Sequence, residues 1–271
     1  MSKDQLEVIE MMENPELQMK VQDWLRQEGY PLEMRTARVF RQRRWFLHHA
    51  RRYKDQTLGR EREIDLLAFY DDKEKDPLSR IHGHLVVECK WTADKPWILF
   101  TSEQQALTPI GHFHSTPMTD TAARAVEQLE SQDVSTFPLF DGLEEGYAIV
   151  QAFSNGEAED EAFAAAGAVI RAADFFARDM SASTTHPIVY VPIIVLDGEL
   201  FRCSLTESGD VSVTPSDFGC LVQHAAENPK IGTTCVHVIR ESVLGMFIDR
   251  TETTFNSLRA VLRNRRNQAK G

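Results

Sequence analysis

Two stretches decide the fold: REREIDLLAFY at residues 60–70 and HLVVECKW at residues 84–91. Side chains of an extended strand alternate between its faces. Leu85, Val87, Cys89 and Trp91 therefore form one apolar face, while Val86, Glu88 and Lys90 share the other. A carboxylate and an ammonium are thus presented side by side by a strand otherwise suited to a core. In the first stretch Asp65 stands between Ile64 and Leu66, an acid embedded in a second apolar strand. Burying charge without partners is costly, so these three groups require either each other or a cation. An ion pair of Lys90 with Glu88 or Asp65 at a sheet edge is the simplest arrangement. The other is a metal site, because two close carboxylates repel and raise each other's pKa unless a divalent cation neutralises them. Magnesium takes oxygen ligands, one or two carboxylates together with waters and substrate phosphate. A lysine beside such a pair can orient or help deprotonate water, and that set of groups suits hydrolysis of a phosphodiester.

Outward from these strands the chain reads as α/β. Leu17, Val21, Trp24 and Leu25 recur at helical spacing and Gly29 ends the run. A second helix follows Pro31, with Leu32, Ala37, Val39 and Phe40 inward and arginines outward. Strands are expected over 63–70, 81–91 and 97–101, with a polar hairpin-type loop containing Pro77 over 71–79. Residues 102–118 read as a long loop, 119–132 as a helix and 147–153 as a strand. The clearest helix is EAEDEAFAAAGAVIRAADFFARDM at 157–180, whose acidic first turn suits the positive end of the helix dipole. The β-branched run 188–196 predicts a buried strand, and Asp197-Gly198 a tight turn into a strand over 200–205. A strand over 233–240 and an amphipathic helix over 251–265 complete the pattern. No repeat or boundary divides the chain, so one domain is expected over 1–271, with a motif core at about 31–101 and a C-terminal α/β elaboration at about 140–265.

With 42 % hydrophobic and 26 % charged residues in 271, the composition is globular. No apolar run approaches the roughly 20 residues that a bilayer span needs, and the start MSKDQLEVIEMMEN lacks the pattern of a signal peptide. A cytoplasmic protein without a membrane partner is therefore expected. Cys89, Cys203, Cys220 and Cys235 form no CxxC pair, which argues for reduced thiols and against a disulfide framework or a structural zinc site. Two His-x-His pairs, His82/His84 and His112/His114, would each put two rings on one strand face, but no third zinc ligand stands near them. The net charge of −11 argues against a nucleic-acid partner until its distribution is read. Residues 35–62 hold ten Lys and Arg against Asp55 and Glu61, and residues 259–271 add five basic residues and no acid. A chain so polarised can hold a polyanion on one face and repel it elsewhere; the alternative is a solvated helix paired with acids in space. Trp45, Phe46 and Tyr53 among these arginines suit base stacking or the core. Arg263, Arg265 and Arg266 suit a phosphate-gripping tail or a disordered end, and Gln104 and Gln105 a solvated turn after the third strand.

Asp65 followed by Glu88-Cys89-Lys90 across a strand–turn–strand resembles the D…ExK core of the PD-(D/E)XK, or restriction-endonuclease-like, nuclease superfamily. The order of elements is similar to the Mrr-like and Holliday-junction-resolvase-like branches: Pro31-Leu32-Glu33 opening a helix, then Trp45, Tyr53, Arg62-Glu63-Ile64-Asp65 and Val87-Glu88-Cys89-Lys90. The proline of the motif's name is absent, Glu63-Ile64 standing before the acid. The resemblance covers about residues 31–101. It implies a restriction-endonuclease-like core, a mixed β-sheet flanked by helices, with the C-terminal α/β extension added to it. It further implies Asp65 and Glu88 as ligands of Mg²⁺ or Mn²⁺, the Cys89 backbone carbonyl as another, Lys90 as the catalytic lysine, and Glu33 as the helix acid that joins them. The expected function is a metal-dependent endonuclease acting on nucleic acid, in the first instance DNA, gripped by Arg35, Arg38, Arg41, Arg44 and Arg62. A nuclease-fold nucleic-acid-binding or regulatory module without turnover is the alternative. Intact Asp65, Glu88 and Lys90 favour the enzyme, since a binding module has no need of paired carboxylates beside a lysine. A structural α/β protein with an ion pair is a third reading, and a homodimer is kept open.

Overall fold

The computed structural model describes residues 14–70, 81–92, 95–102, 107–127, 129–135, 137–153, 160–183, 186–224 and 233–268. The loop expected at 71–79 and Gln104-Gln105 lie outside the described residues. Helix α1 (Pro15–Gln27) starts at Asn14, whose side chain accepts the Leu17 amide. Its apolar residues Leu17, Val21 and Trp24 remain exposed. Periodicity marked this helix as amphipathic, but the described residues supply no element to cover the stripe. Helix α2 (Tyr30–Gln42) follows Gly29, which sits in the left-handed region at φ 79°, where a side chain is costly. It buries Leu32, Thr36, Ala37 and Phe40.

The described residues form ten strands, β1 (Phe46–Asp55), β2 (Arg60–Phe69), β3 (His82–Trp91), β4 (Trp97–Thr101), β5 (Glu145–Gln151), β6 (Ile188–Asp197), β7 (Leu200–Leu205), β8 (Val211–Ser216), β9 (Phe218–His224) and β10 (Thr233–Arg240). They form one mixed sheet in the order β1-β2-β3-β6-β10-β9-β5-β4-β7-β8. Helix α6 (Glu161–Ser183) covers one face. Asp160 caps it by accepting the Ala162 and Phe163 amides at 2.9 and 3.1 Å. Ala162, Ala165, Ala166, Val169, Ala172, Ala173, Phe176 and Ala177 make its buried stripe, and the small side chains allow close approach to Tyr190, Ile194 and Val236. The other face is covered by α2, by α7 (Leu244–Gln268) and by the short helices α3 (Pro109–His114), α4 (Asp120–Val126) and α5 (Ser131–Val134). With parallel neighbours β3 and β10 and both faces covered, β6 is buried from Ile188 to Leu196, as a continuous β-branched run requires. The architecture is α/β, a large mixed sheet flanked by helices. Among the described residues no helix is long and apolar enough to cross a membrane.

Several expectations need correction. The basic stretch after α2 is a strand, because β1 lies at the sheet edge and buries only Tyr53 and Asp55 among its polar residues. The loop expected over 102–118 contains α3, and the helix expected over 119–132 is two pieces, α4 and α5, the second restarted by a reciprocal cap between Glu130 and Asp133. The C-terminal basic segment is not a disordered end through Gln268. It continues α7, with Arg259 buried against the Ile81 carbonyl and Arg265 bonded to Asp133. Asp197-Gly198 turns the chain but makes no hairpin, since β6 and β7 are not neighbours. Both parallel pairs, β3/β6 and β4/β7, bend at this corner, where the Thr92 amide donates to the Asp197 carbonyl and the Trp97 amide to that of Glu199. A Cβ on Gly198 would come within 2.0 Å of Thr92 Oγ1, so the corner has room only for glycine.

Candidate active site at the end of β3

Strands β2 and β3 pair antiparallel with Leu66 opposite Val87, a register that brings Asp65 next to Glu88. Ile64 packs on the α6 side of the sheet and Leu66 on the opposite side. Regular alternation would send both to one face, so the strand is irregular at Asp65, opposite Ala50 with its φ of 52°. That irregularity re-aims the acid. Its Oδ2 accepts the Cys89 amide at 2.7 Å. Glu88 is buried, 8 % exposed, and its Oε1 lies 2.9 Å from Lys90 Nζ. The expected strand faces hold for Leu85, Val87 and Cys89, which pack into the core on the α2 side, but Trp91, expected with them, is exposed and lines the cleft at the end of β3.

The N-termini of α2 and α6 flank the end of β3 and leave an open cleft of about 510 Å³. Glu33, Glu88, Lys90 and Arg62 line it, so the helix acid joins the strand residues as expected. Glu161, Gln151 and Lys95 also line it and were missed. Glu161 had a sequence signal, the acidic first turn of α6, but that signal is explained equally well by the helix dipole. Burial and the charge of Glu88 push the Asp65 carboxyl up to about 7, with the Cys89 amide opposing and Glu33 adding to the rise. Glu33 is raised by burial and by Glu88 and Glu63, with Lys90 opposing. Burial pulls the Lys90 ammonium down, but contact with Glu88 and the charges of Asp65 and Glu161 outweigh it and hold the group above its ordinary value. The Cys89 thiol is pushed up by burial and then by Asp65.

Carboxylates with one contacting ammonium are a donor set of oxygens in excess of local positive charge. Such a set fits a hard divalent cation and is poorly suited to a soft one. Asp65, Glu88 and the Cys89 carbonyl are the groups that would hold it, and Glu33 and Glu161 stand within electrostatic reach.

The arginines are less concentrated than their sequence positions suggest. Arg62 lines the cleft. Arg35 is tied down: its Nε donates to Glu241 Oε1 at 2.6 Å, and its Nη2 to Asp197 Oδ2 at 2.7 Å and Glu241 Oε2 at 2.8 Å. Arg43 is bound to Asp249, and Arg41 Nη2 lies 2.7 Å from His49 Nε2. Arg38 and Arg44 are exposed and make no ion pair among the described residues. At about 1.5 Å per residue, Arg41 lies roughly 12 Å along α2 from Glu33, and Arg44 follows beyond the end of the helix, so this basic end adjoins the cleft only at a distance. Trp45 and Tyr53 are core residues at 4 % and 2 % exposure, whereas Phe46 is exposed and stacked on Phe69. The His-x-His pairs do not act as pairs. His84 is half-buried between Phe69 and Tyr190 while His82 contacts His186, and α3 buries His112 but exposes His114.

Comparison with protein-family models, curated proteins and solved structures gives no match.

Proposed function

We propose that the chain is a divalent-metal-dependent nuclease, with DNA as its first expected substrate and a restriction-endonuclease-like core around β2, β3 and α2. One observation carries this reading: Asp65 stands next to Glu88 across the β2–β3 ladder with its carboxylate held by the Cys89 amide, and Glu88 lines an open cleft with Lys90 in contact with it. A purely structural ion pair needs one acid, and the burial and Glu88 charge that together raise Asp65 to about 7 would be a cost without return there. Mg²⁺ or Mn²⁺, when bound, supplies charge neutralisation and Lewis-acid activation of a phosphodiester. Asp65, Glu88 and the Cys89 carbonyl are its ligands in this proposal. Lys90 Nζ orients the attacking water and donates to a non-bridging phosphate oxygen. Glu33 is available to accept a proton from that water, since burial and its acidic neighbours raise its carboxyl. Arg62, with the exposed Arg38, Arg41 and Arg44 beyond it, meets the rest of the polyanion.

The test is divalent-dependent cleavage of a mixed panel of duplex, single-stranded and branched DNA and of RNA. Cleavage that requires Mg²⁺ or Mn²⁺ and is lost in Asp65→Asn supports the proposal. Binding without cleavage by the folded wild type across the whole panel replaces it with the non-catalytic binding module.

A further inference from the structure

A second cluster of metal-ligating side chains lies on the opposite side of β6 from β3, in the core beneath α3. Cys220 on β9 and Cys235 on β10 come from adjacent antiparallel strands, with His237 opposite Cys220 and Val222 opposite Cys235. The two thiols are therefore diagonal neighbours on one sheet face. Helix α3 lays His112 over them, its Nδ1 2.9 Å from Cys235 Sγ and 4.0 Å from Cys220 Sγ. The three ligand atoms all fall within 4.8 Å of one another, and each residue is 2 % exposed or less. An ion with about 2.3 Å bonds to sulfur and 2.0–2.1 Å to nitrogen at tetrahedral angles sets S···N near 3.6 Å. That value falls between the two observed separations, so small rotamer shifts suffice.

The surroundings orient these groups as ligands. His112 Nε2 lies 2.7 Å from Glu145 Oε1, and Glu145 is itself held by the Leu107 amide at 3.0 Å. A carboxylate on Nε2 keeps the proton there and turns the Nδ1 lone pair toward the sulfurs, as in carboxylate–histidine–metal arrangements. Ser115 Oγ is 3.2 Å from Cys235 Sγ. Ser115 also forms part of the wall of a groove of about 600 Å³ with Met118, Arg178 and Thr234, so solvent reaches the residue next to the cluster. Sulfur and imidazole together make a soft donor set that magnesium does not select.

We propose that His112 Nδ1, Cys220 Sγ and Cys235 Sγ bind one thiophilic divalent cation of the zinc class, with the fourth position toward Ser115. The thiol protons leave to solvent on binding, and the ion fastens α3 to β9 and β10 and, through Glu145, to β5. This site is separate from the carboxylate cleft and does not rest on the nuclease reading.

The experiment titrates the reduced, metal-free chain with Co²⁺ alone. One equivalent should produce the charge-transfer absorption of cobalt bound to thiolate, and Zn²⁺ should abolish it while excess Mg²⁺ does not. Cys235→Ser should remove the absorption, Cys220→Ser should weaken it, and Cys203→Ser should leave it unchanged. Buried substitutions can cost folding, so Glu145→Gln, which leaves all three ligands in place, supplies a second reading: Zn²⁺ affinity should fall about 10–100-fold with the cobalt absorption retained. The proposal is overturned if the folded, reduced wild type gives no such absorption, if the absorption survives Cys235→Ser, or if Cys220 and Cys235 form a disulfide in the presence of excess Zn²⁺.

Discussion

The Cys89 amide donates to Asp65 Oδ2 across the β2–β3 ladder, so the acid on one strand is oriented by the strand that carries Glu88 and Lys90. An asparagine at 65 can accept the same hydrogen bond without the charge, which separates the role of the carboxylate in folding from its role in the site.

Asp65→Asn should abolish Mn²⁺ binding measured by calorimetry. The same variant should melt at or above the temperature of the metal-free wild type, because it removes repulsion with Glu88 and Glu33 while keeping the Cys89 bond. A gain of about 1 kcal/mol corresponds to roughly 2–4 °C for a chain of this size. Undiminished Mn²⁺ binding would sink the assignment of Asp65 as a ligand.

Lys90→Ala should lose cleavage by at least about 100-fold, in the range of a positioned proton-transfer or water-orienting group, and keep nucleic-acid affinity. A lysine serving only Glu88 would show a different pattern, a lower melting temperature with cleavage following the folded fraction. Parallel cleavage, binding and melting measurements distinguish the two.

Substrate grip should depend on the arginines without ion pairs. Arg41→Glu with Arg44→Glu should weaken nucleic-acid binding and flatten its salt dependence, since fewer counterions are released. Arg35→Glu should act mainly on stability, because it puts a third acid beside Glu241 and Asp197. Equal loss of affinity from both variants, at equal stability, would contradict this division.

Local pattern made much of this molecule legible. The alanine stripe of α6, the β-branched run of β6 and the alternation along β3 each repeat a chemical rule over many residues, and those elements stand where the sequence put them. The acid–x–lysine spacing, with an isolated aspartate upstream, also sufficed to gather Asp65, Glu88 and Lys90 at one place. What could not be read depends on partners remote in the chain. Arg35 looked like a free cation until Glu241, 206 residues away, occupied it. His112 and Cys235 are separated by 123 residues, so no ligand spacing announced them. The polar, basic β1 gave no strand signal, because an edge strand needs little apolar surface.

Asp55 offers a stability test far from both clusters. It is buried at the end of β1, accepting the Thr57 and Leu58 amides at 3.0 Å each and Arg171 Nε at 2.8 Å. Burial alone would raise its carboxyl, but the Leu58 amide, Arg171 and the Thr57 amide outweigh it and hold the group below its ordinary value. The folded state thus binds this proton less readily than the unfolded chain. Its contribution is present above about pH 4 and is lost as pH falls through the folded value. Asp55→Asn should cost about 1–3 kcal/mol at pH 7, discounted for the partial exposure of Arg171, and should lessen the loss of stability toward acid. Urea unfolding from pH 7 to pH 3 would reveal a slope unchanged from wild type if the idea is wrong.

Strand β1 ends the sheet, and among the described residues no strand pairs with its outer side. Unpaired main-chain donors and acceptors there are a template for aggregation. Arg51, Arg52 and Lys54 stand along that margin, and Ala50 interrupts its flatness with a left-handed backbone. A second copy approaching edge to edge would meet a row of like charges on a bent ribbon. Neutralising the basic segment for binding studies should therefore raise the tendency of the chain to associate through this margin.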